Sequence, residues 1–154
     1  MRELNAGDAR AVADLFTSSS EVYRRYFNPF PVDEASLTSR LAEARRDKYW
    51  GVWLDSELAG FFMLRGFDQG YAIPAFGVCI RERWSGFGLL TVTLAWAVAW
   101  CRIAQVEEIM LKVHPENRVA LDTYTRFGFS VDTVDPGNHN LVCRKSLRPG
   151  SDRR

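Results

Sequence analysis

An extended run, a turn with two glycines, a long apolar helix and a second strand follow one another between Tyr71 and Val113. The extended run covers Tyr71–Ile80, the helix is predicted over Leu89–Ala104, and the second strand over Glu108–Val113. Apolar residues recur in the helix at three- and four-residue spacing, which places them on one face. Two strands joined through a helix lie parallel in one sheet. This unit therefore predicts a parallel strand pair with the helix packed on it.

Hairpins surround this unit on both sides. One hairpin is predicted from the strands Tyr49–Leu54 and Leu58–Arg65, which a tight turn joins. A second is predicted from Ser130–Val134 and Asn140–Ser146, on either side of Pro136-Gly137. Four more elements complete the chain. They are a short strand at Met1–Leu4, a helix capped by Asp8 that runs to about Ser18, a helix capped by Asp33, and a helix from Asn117 to about Arg126. The order predicts an α/β protein of the α+β type, in which about four helices flank a mixed, mostly antiparallel central sheet of about six to seven strands.

Composition excludes several classes of protein. The 154 residues are 47% hydrophobic and 25% charged, which is typical of a globular domain and not of a disordered, collagen-like or disulfide-stapled chain. The net charge is +1, so no nucleic acid or membrane surface is expected as a partner. Three scattered cysteines and two separated histidines predict reduced thiols and no metal site.

The chain reads as one domain. Residues 1–147 carry all the predicted elements, and residues 148–154 read as a loose tail. No signal peptide and no apolar run long enough to span a membrane is visible, which predicts a cytoplasmic protein.

Two segments carry features suited to a ligand. The first, Arg81–Leu90, holds Gly86 and Gly88 between a strand and the start of a long helix. Glycines in such a turn let backbone N–H groups approach a phosphate, and the helix N-terminus favours negative charge. A tight turn that only packs the helix against its strand explains the same two glycines.

The second segment, His114–Phe129, also follows a strand and opens a helix. Asn117 and Tyr124 are seven residues apart, two helical turns, and share a face with Ala120. A helix cap with ordinary packing explains this stripe equally well.

Taken together and in this order, the two segments resemble the GNAT superfamily of acyl-CoA-dependent N-acyltransferases. The second is similar to its Asn-x-x-Ala-x-x-x-Tyr-x-x-x-Gly-Phe signature, matched at Asn117, Ala120, Tyr124, Gly128 and Phe129. The first resembles the Arg/Gln-x-x-Gly-x-Gly/Ala pyrophosphate loop, and the element order matches from about Met1 to Ser146. The resemblance implies an N-acetyltransferase that uses acetyl-CoA as its cosubstrate and needs no metal.

The loop fits its motif in two registers. In the first register, Arg83, Gly86 and Gly88 match the motif residue by residue. The distance to Asn117 favours a second register, in which Ser85 occupies the Arg/Gln position and Leu90 the final Gly/Ala position. The resemblance then implies that the strand before the loop splays from its neighbour and pairs with the pantetheine arm. The implied cofactor-binding residues are Val78, Cys79, Ile80, Ser85, Gly86, Phe87, Gly88, Leu89, Leu90, Asn117, Ala120 and Tyr124.

The implied reaction is direct attack of a neutral amine on the thioester in a ternary complex. Tyr124 is the candidate general acid that protonates the departing thiolate, and a tyrosine packed near the cofactor is the alternative. Asp68 and Glu82 are the candidate bases, acting directly or through water, and a solvated loop charge is the favoured alternative for each. Cys79 has no evident base beside it, which argues against an acyl-enzyme.

The acceptor side is read from aromatic residues. Tyr26, Phe30 and Tyr71 are predicted to contact the acceptor, a small-molecule amine. Arg24, Arg25 and Arg65 either bind an anionic group on it or form a solvated face. A protein N-terminus or lysine as acceptor, or a module that binds acyl-CoA without turnover, are the alternatives. Trp96 and Trp100, four residues apart on one helix, either pack on the sheet or form a homodimer contact.

Overall fold

The computed structural model describes residues 1–150, which form seven strands and five α-helices. The strands are β1 (Arg2–Glu3), β2 (Lys48–Leu54), β3 (Glu57–Arg65), β4 (Ala75–Ile80), β5 (Glu108–Val113), β6 (Ser130–Val134) and β7 (Leu141–Ser146). The helices are α1 (Ala9–Thr17), α2 (Glu21–Arg24), α3 (Glu34–Glu43), α4 (Leu89–Ile103) and α5 (Arg118–Arg126). Short 3₁₀ turns cover Ala6–Asp8 and Glu82–Trp84.

One sheet contains all seven strands of residues 1–150, in the order β1-β2-β3-β4-β5-β7-β6. Every neighbouring pair is antiparallel except β4 and β5, which are parallel. The predicted fold class is therefore confirmed, and so is the prediction that the unit between Tyr71 and Val113 supplies the parallel pair.

The parallel pair separates soon after it begins. Only Ala75 with Met110 and Phe76 with Leu111 are in register, and the rest of β4 has no partner in β5. Along the same length β4 stays fully paired with β3. A wedge-shaped gap thus opens in the middle of the sheet, bounded by residues 77–80 on one side.

Each face of the sheet carries its own core. On one face α4 and α5 pack over the middle strands, and Phe62, Leu94 and Ile109 have no exposed surface. On the other face α1 and α3 cover the first four strands, around Val12 and Phe61. The first core extends under β5 and β7, whereas the second does not, so the second face is open beside the gap.

Three local differences from the predictions have physical causes. α2 was not predicted, because four residues carry no readable periodicity; its N-terminal N–H of Tyr23 bonds the Ser20 side chain. The prediction that Asp8 caps α1 was wrong. Its carboxylate instead pairs with Arg2 at 2.7 Å and accepts the N–H of Asn5 at 2.9 Å, closing the preceding 3₁₀ turn. The strand predicted from Tyr71 begins at Ala75, after Pro74.

Two further predictions concern the end of the chain and the tryptophans of α4. Leu147 is buried and its N–H bonds Glu107, so the packed chain reaches that residue. Residues 151–154 of the predicted tail lie outside the described residues. Trp100 packs against Trp50 at a ring distance of 5.9 Å, whereas Trp96 stays 41% exposed. Within residues 1–150 no helix combines the length and apolarity that crossing a membrane requires.

Candidate active site

A cavity of about 1140 Å³ occupies the gap between β4 and β5. It reaches from the N-terminus of α4, through the split in the sheet, to the open second face beside α2. Its walls combine residues 75–80 of β4, the loop before α4, the inner face of α5 and the loops that contain Tyr26 and Tyr71. The cavity therefore passes from one face of the sheet to the other.

The wall formed by β4 offers backbone groups to a ligand. Peptide groups of residues 77–80 that point away from β3 have no strand partner, and an extended molecule can bond them as an added strand would. Cys79 lies on this strand but packs into the core beneath α1, and burial raises the pKa of its thiol to about 12. A thiol held neutral in this way is a poor nucleophile.

The loop before α4 is shaped by backbone conformation rather than by packing. Gly86 and Gly88 have φ of 84° and 87°, values that side-chain-bearing residues rarely adopt, and a Cβ on either would meet nothing within 4 Å. Tight helix packing, the alternative explanation for these glycines, is thus excluded. Gly88 immediately precedes α4.

The first turn of α4 faces the cavity. Ser85, Gly86, Gly88, Leu89, Leu90 and Thr91 all line it. The helix runs for 15 residues, so unpaired N–H groups and the positive end of the helix dipole lie at one end of the cavity. Phe87, predicted to contact the cofactor, points elsewhere: it is 74% exposed, with its ring 5.9 Å from Trp84.

The opposite wall comes from α5. Asn117 caps this helix, its side chain accepting the N–H of Ala120 at 3.4 Å, as predicted. Tyr124, two turns on, is buried between Phe76 and Phe129, with ring distances of 6.5 and 6.1 Å. All three residues of the predicted stripe, Asn117, Ala120 and Tyr124, line the cavity. Burial raises the pKa of Tyr124 above its ordinary value of 10.0, so the phenol holds its proton.

A second tyrosine shares this part of the cavity. Tyr23 of α2 lines it, and burial, with a smaller contribution from Cys79, raises its pKa to about 12. The Ser85 side chain and the Ile80 backbone act on the phenol in the opposite direction, by hydrogen bonding. Tyr23 also makes a small contribution to the raised pKa of Tyr124, which places both phenols in one neighbourhood. The helix that carries Tyr23, α2, was not predicted from the sequence.

The carboxylates of the two predicted bases accept hydrogen bonds from backbone N–H groups. Asp68 accepts the N–H groups of Arg45, Arg46 and Asp47 at 3.0, 2.7 and 3.3 Å. These bonds lower the pKa of Asp68. Glu82 accepts the N–H and the hydroxyl of Ser20 at 2.9 and 3.0 Å, which ties the loop to the start of α2. Neither carboxylate lines the cavity.

Of the predicted acceptor residues, two line the cavity and one does not. Tyr26 lies against His114 at a ring distance of 5.3 Å, and Tyr71 is 63% exposed at the rim. Phe30 is 7% exposed and belongs to the core beneath α3. Its ring faces the guanidinium groups of Arg40 and Arg65, so it supports the cavity wall from behind.

Comparison with known proteins agrees with this geometry. The sequence model of the Acetyltransferase (GNAT) family matches residues 12–129. That range covers most of the chain, including the loop before α4 and the Asn117–Phe129 segment. The chain belongs to the GNAT family of acetyltransferases. It is therefore an acyl-CoA-dependent acetyltransferase, and acetyl-CoA is the acetyl donor of this family.

Solved structures share the fold at low sequence identity. A PaiA N-acetyltransferase from Thermoplasma acidophilum in complex with coenzyme A is 16% identical, with a TM-score of 0.78 over 94% of this chain and 96% of that one. A ribosomal-protein-S5-alanine acetyltransferase from Vibrio fischeri is 15% identical, with a TM-score of 0.76 over 96% and 92%. Mutant forms of the spermidine/spermine N-acetyltransferase SpeG from Vibrio cholerae are 19% identical, with a TM-score of 0.72 over 95% and 93%. No curated protein sequence matches the chain.

The residues present suit acetyl-CoA. The GNAT acetyltransferase has a through-sheet cavity, a helix N-terminus of the kind that favours phosphate at one end, and an unpaired strand edge in the middle. Among residues 1–150 no group of three histidine, cysteine or acidic side chains is arranged to hold a metal ion.

Proposed function

We propose that this acetyltransferase transfers the acetyl group of acetyl-CoA directly to the primary amine of a small molecule, within a ternary complex. The observation that carries the proposal is a cavity running through the gap in the sheet, with the glycine loop and the N-terminus of α4 at one end and aromatic walls at the other. A donor and an acceptor entering from opposite faces would meet beside β4.

The donor end is built from backbone. Residues 85–90 would hold the pyrophosphate through N–H groups, and the edge of β4 at Val78, Cys79 and Ile80 would pair with the pantetheine arm. A β4 N–H aimed at the thioester carbonyl would polarise it. When bound, acetyl-CoA supplies an activated acetyl group.

Tyr124 would act as the general acid. Its raised pKa keeps the phenol protonated at neutral pH, and its position on the cavity wall opposite β4 lets it donate to the departing sulfur. The thiolate gains a proton in this way while the new amide bond forms.

Removal of the amine proton would proceed through water. Among residues 1–150 no aspartate, glutamate or histidine lines the cavity, and Asp68 and Glu82 are engaged elsewhere. Water that enters past the exposed Tyr71 would carry the proton from the acceptor to solvent without a dedicated base. The acceptor is proposed to be small because the loops that carry Tyr26 and Tyr71 place aromatic side chains on the side where a peptide would need room to bind.

The test begins with acetyl-CoA binding. A thermal-shift titration with acetyl-CoA, free CoA and adenosine should give a saturable shift for the first two and none for adenosine. At about 100 times Kd a ligand specific for the folded state adds about 2.7 kcal/mol to stability. An amine panel then follows thiol release, with N-terminal peptides and lysine peptides beside small amines.

Three outcomes separate the alternatives. Turnover of small amines supports the proposal. Turnover confined to peptides transfers the acceptor role to a protein, and saturable binding without any turnover indicates a non-catalytic acyl-CoA module.

A further inference from the structure

The acceptor end of the cavity is positively charged. Arg65, Lys112 and Arg144 line it, and among residues 1–150 no acidic side chain does. All three project from the same face of the sheet, the open one beside α2. Arg65 is in register with Ala75, Ala75 with Met110, and Met110 with Arg144, so these residues share a face. Lys112 lies two residues after Met110 on the same strand and therefore shares it too. The charge therefore lies where the acceptor is proposed to enter.

Two of these cations are already neutralised. Lys112 forms an ion pair with Asp135 at 2.5 Å. Arg144 pairs with Glu108 at 2.8 Å and with Asp132 at 3.0 Å. Their charges are balanced by carboxylates that lie outside the cavity wall.

Arg65 is different. It is half-buried, and no carboxylate of residues 1–150 forms an ion pair with it. Its guanidinium carbon lies 4.9 Å from the centre of the Phe30 ring. The guanidinium of Arg40, also without a carboxylate, lies 4.0 Å from the same ring. Two cations thus share one aromatic ring, and only Arg65 faces the cavity.

Two acids near Arg65 are engaged, Asp68 three residues later and Asp47 beside the end of β3. Asp68 accepts three backbone N–H groups of residues 45–47, and Asp47 accepts the N–H of Asp68 at 3.1 Å. The protein therefore leaves a partly desolvated guanidinium at the cavity with only a π-face as partner. A guanidinium in that state pairs strongly with an anion, since its planar fork matches a carboxylate or phosphate in two hydrogen bonds.

We infer that the acceptor is an amine that also carries an anionic group, a carboxylate or a phosphate-type oxyanion, and that Arg65 binds this group. The inference rests on the proposed function and names its substrate class. A polyamine is disfavoured, because a second ammonium would face uncompensated positive charge where it would need a carboxylate. Of the arginines considered from the sequence, Arg25 instead pairs with Glu116 at 3.5 Å outside the cavity.

Geometry also limits the length of the acceptor. Arg65 is paired with Ala75, three residues before Val78, which is about 10 Å along the strand. An anion bound by Arg65 is thus expected within about 10 Å of the reacting amine, a distance that amino acids and short ω-amino acids can span.

The experiment compares matched acceptors. Amino acids, the corresponding amino acid amides, ω-amino acids of increasing length, aminoalkyl phosphonates and spermidine are each assayed for acetyl-CoA-dependent thiol release. We expect kcat/KM for the anionic member of each pair to exceed that of its amide by about tenfold or more, the usual effect of a hydrogen-bonded charge. The phosphonates distinguish an oxyanion in general from a carboxylate in particular.

Variants locate the effect. Arg65→Gln should raise KM for the anionic acceptors and bring the acid-to-amide ratio close to one, with KM for acetyl-CoA unchanged. Arg65→Lys should retain part of the ratio. Arg10→Gln, an exposed arginine of α1 away from the cavity, is the matched control.

Contrary results are easily recognised. Preference for amides or for spermidine in the wild type, or an acid-to-amide ratio that survives Arg65→Gln, would overturn the inference and leave the acetyltransferase proposal standing. Absence of acetyl-CoA binding would instead overturn the proposed function. Calorimetric titration of the amino acids and their amides without cosubstrate then still reads the anion preference, and equal binding of acid and amide would overturn the inference.

Discussion

Tyr124 is the residue on which the proposed chemistry depends most directly. It is buried between Phe76 and Phe129 and faces the cavity, with a pKa above its ordinary value of 10.0. We expect Tyr124→Phe to lower kcat about 100-fold, the scale of a lost general acid, while acetyl-CoA still gives its thermal shift. Because the pKa is raised, wild-type kcat should show no loss from this phenol between about pH 7 and 9.

Tyr49→Phe provides the control for Tyr124→Phe. Tyr49 is a buried tyrosine of the second core, stacked on Phe61 and away from the cavity. Its variant should keep wild-type kcat. An unchanged kcat in Tyr124→Phe would show that this phenol only packs beside the donor.

Asp68 is expected to contribute to stability and not to the chemical step. Since its carboxylate bonds three backbone N–H groups of residues 45–47, Asp68→Ala should lower Tm and leave kcat within about twofold, and Asp68→Asn, which keeps one acceptor oxygen, should fall between. Bonding lowers the pKa of Asp68, so its stabilisation is complete above pH 3.8 and is lost as the pH falls through the lower, folded-state pKa. Melting curves at pH 3 to 7 beside steady-state kinetics make the measurement. A large loss of kcat with unchanged Tm would restore Asp68 as a base.

Asp68 and Phe30 also show where sequence reasoning about the site ends. Nothing local to Asp68 reveals that its partners lie more than twenty residues earlier, at the end of α3. Phe30 and Tyr26 look alike as aromatic residues near a proline, yet one packs beneath α3 and the other lines the cavity. Spacing fixes Asn117, Ala120 and Tyr124 because they share one helix. Residues on separate loops have no such constraint.

The glycine loop before α4 can be tested against a loop of equal backbone strain. Gly88 and Gly70 both have φ of 87° and open space at the Cβ position, but only Gly88 lines the cavity. Alanine at either position should lower stability by about 1 kcal/mol, because a side chain disfavours this conformation. Only Gly88→Ala should also weaken acetyl-CoA binding, by about tenfold, as the N–H groups of the loop shift. Paired thermal-shift titrations decide it, and equal acetyl-CoA affinities in the two variants would contradict a phosphate-binding loop.

Elements with clear periodicity were predicted well from sequence. α4 was expected over Leu89–Ala104 and spans Leu89–Ile103, and β5 was predicted with its observed bounds. α2 escaped because four residues hardly exceed one helical turn, and its existence depends on the tertiary contact between Ser20 and Glu82. The short, contact-dependent elements are those that build the acceptor side of the site.

The whole molecule should lose stability in alkali. Burial raises the pKa of the Cys79 and Cys101 thiols from 9.0 to about 12, and that of Tyr23 to about 12. The unfolded chain thus releases protons near pH 9 that the folded chain keeps, so the free energy of unfolding is full below pH 9 and falls toward pH 12. Urea unfolding at pH 7, 9 and 10.5 should show falling midpoints, with a smaller fall in Cys101→Ala. A midpoint that rises with pH would contradict this assignment.

A homodimer remains a prediction at this scale. Val92, Trp96 and Ile103 are exposed by 46%, 41% and 84% and recur along the outer face of α4. We expect the wild type to sediment as a dimer and the Trp96→Glu variant to sediment as a monomer. Val131 is an exposed valine of β6, and Val131→Glu should sediment like the wild type. A monomeric wild type at micromolar concentration would exclude this contact.

The seam between β4 and β5 is a narrow backbone connection between two parts of the sheet. Only two residue pairs join the β1–β4 half of the sheet to the β5–β7–β6 half, so backbone bonding contributes little to holding them together. That task falls to α4, whose Leu94, Ala97 and Val98 pack in one core with Phe62 and Ile109 from the two halves. A molecule seated in the seam would therefore add cross-links between two parts of the sheet that are joined mainly through the side chains of one helix.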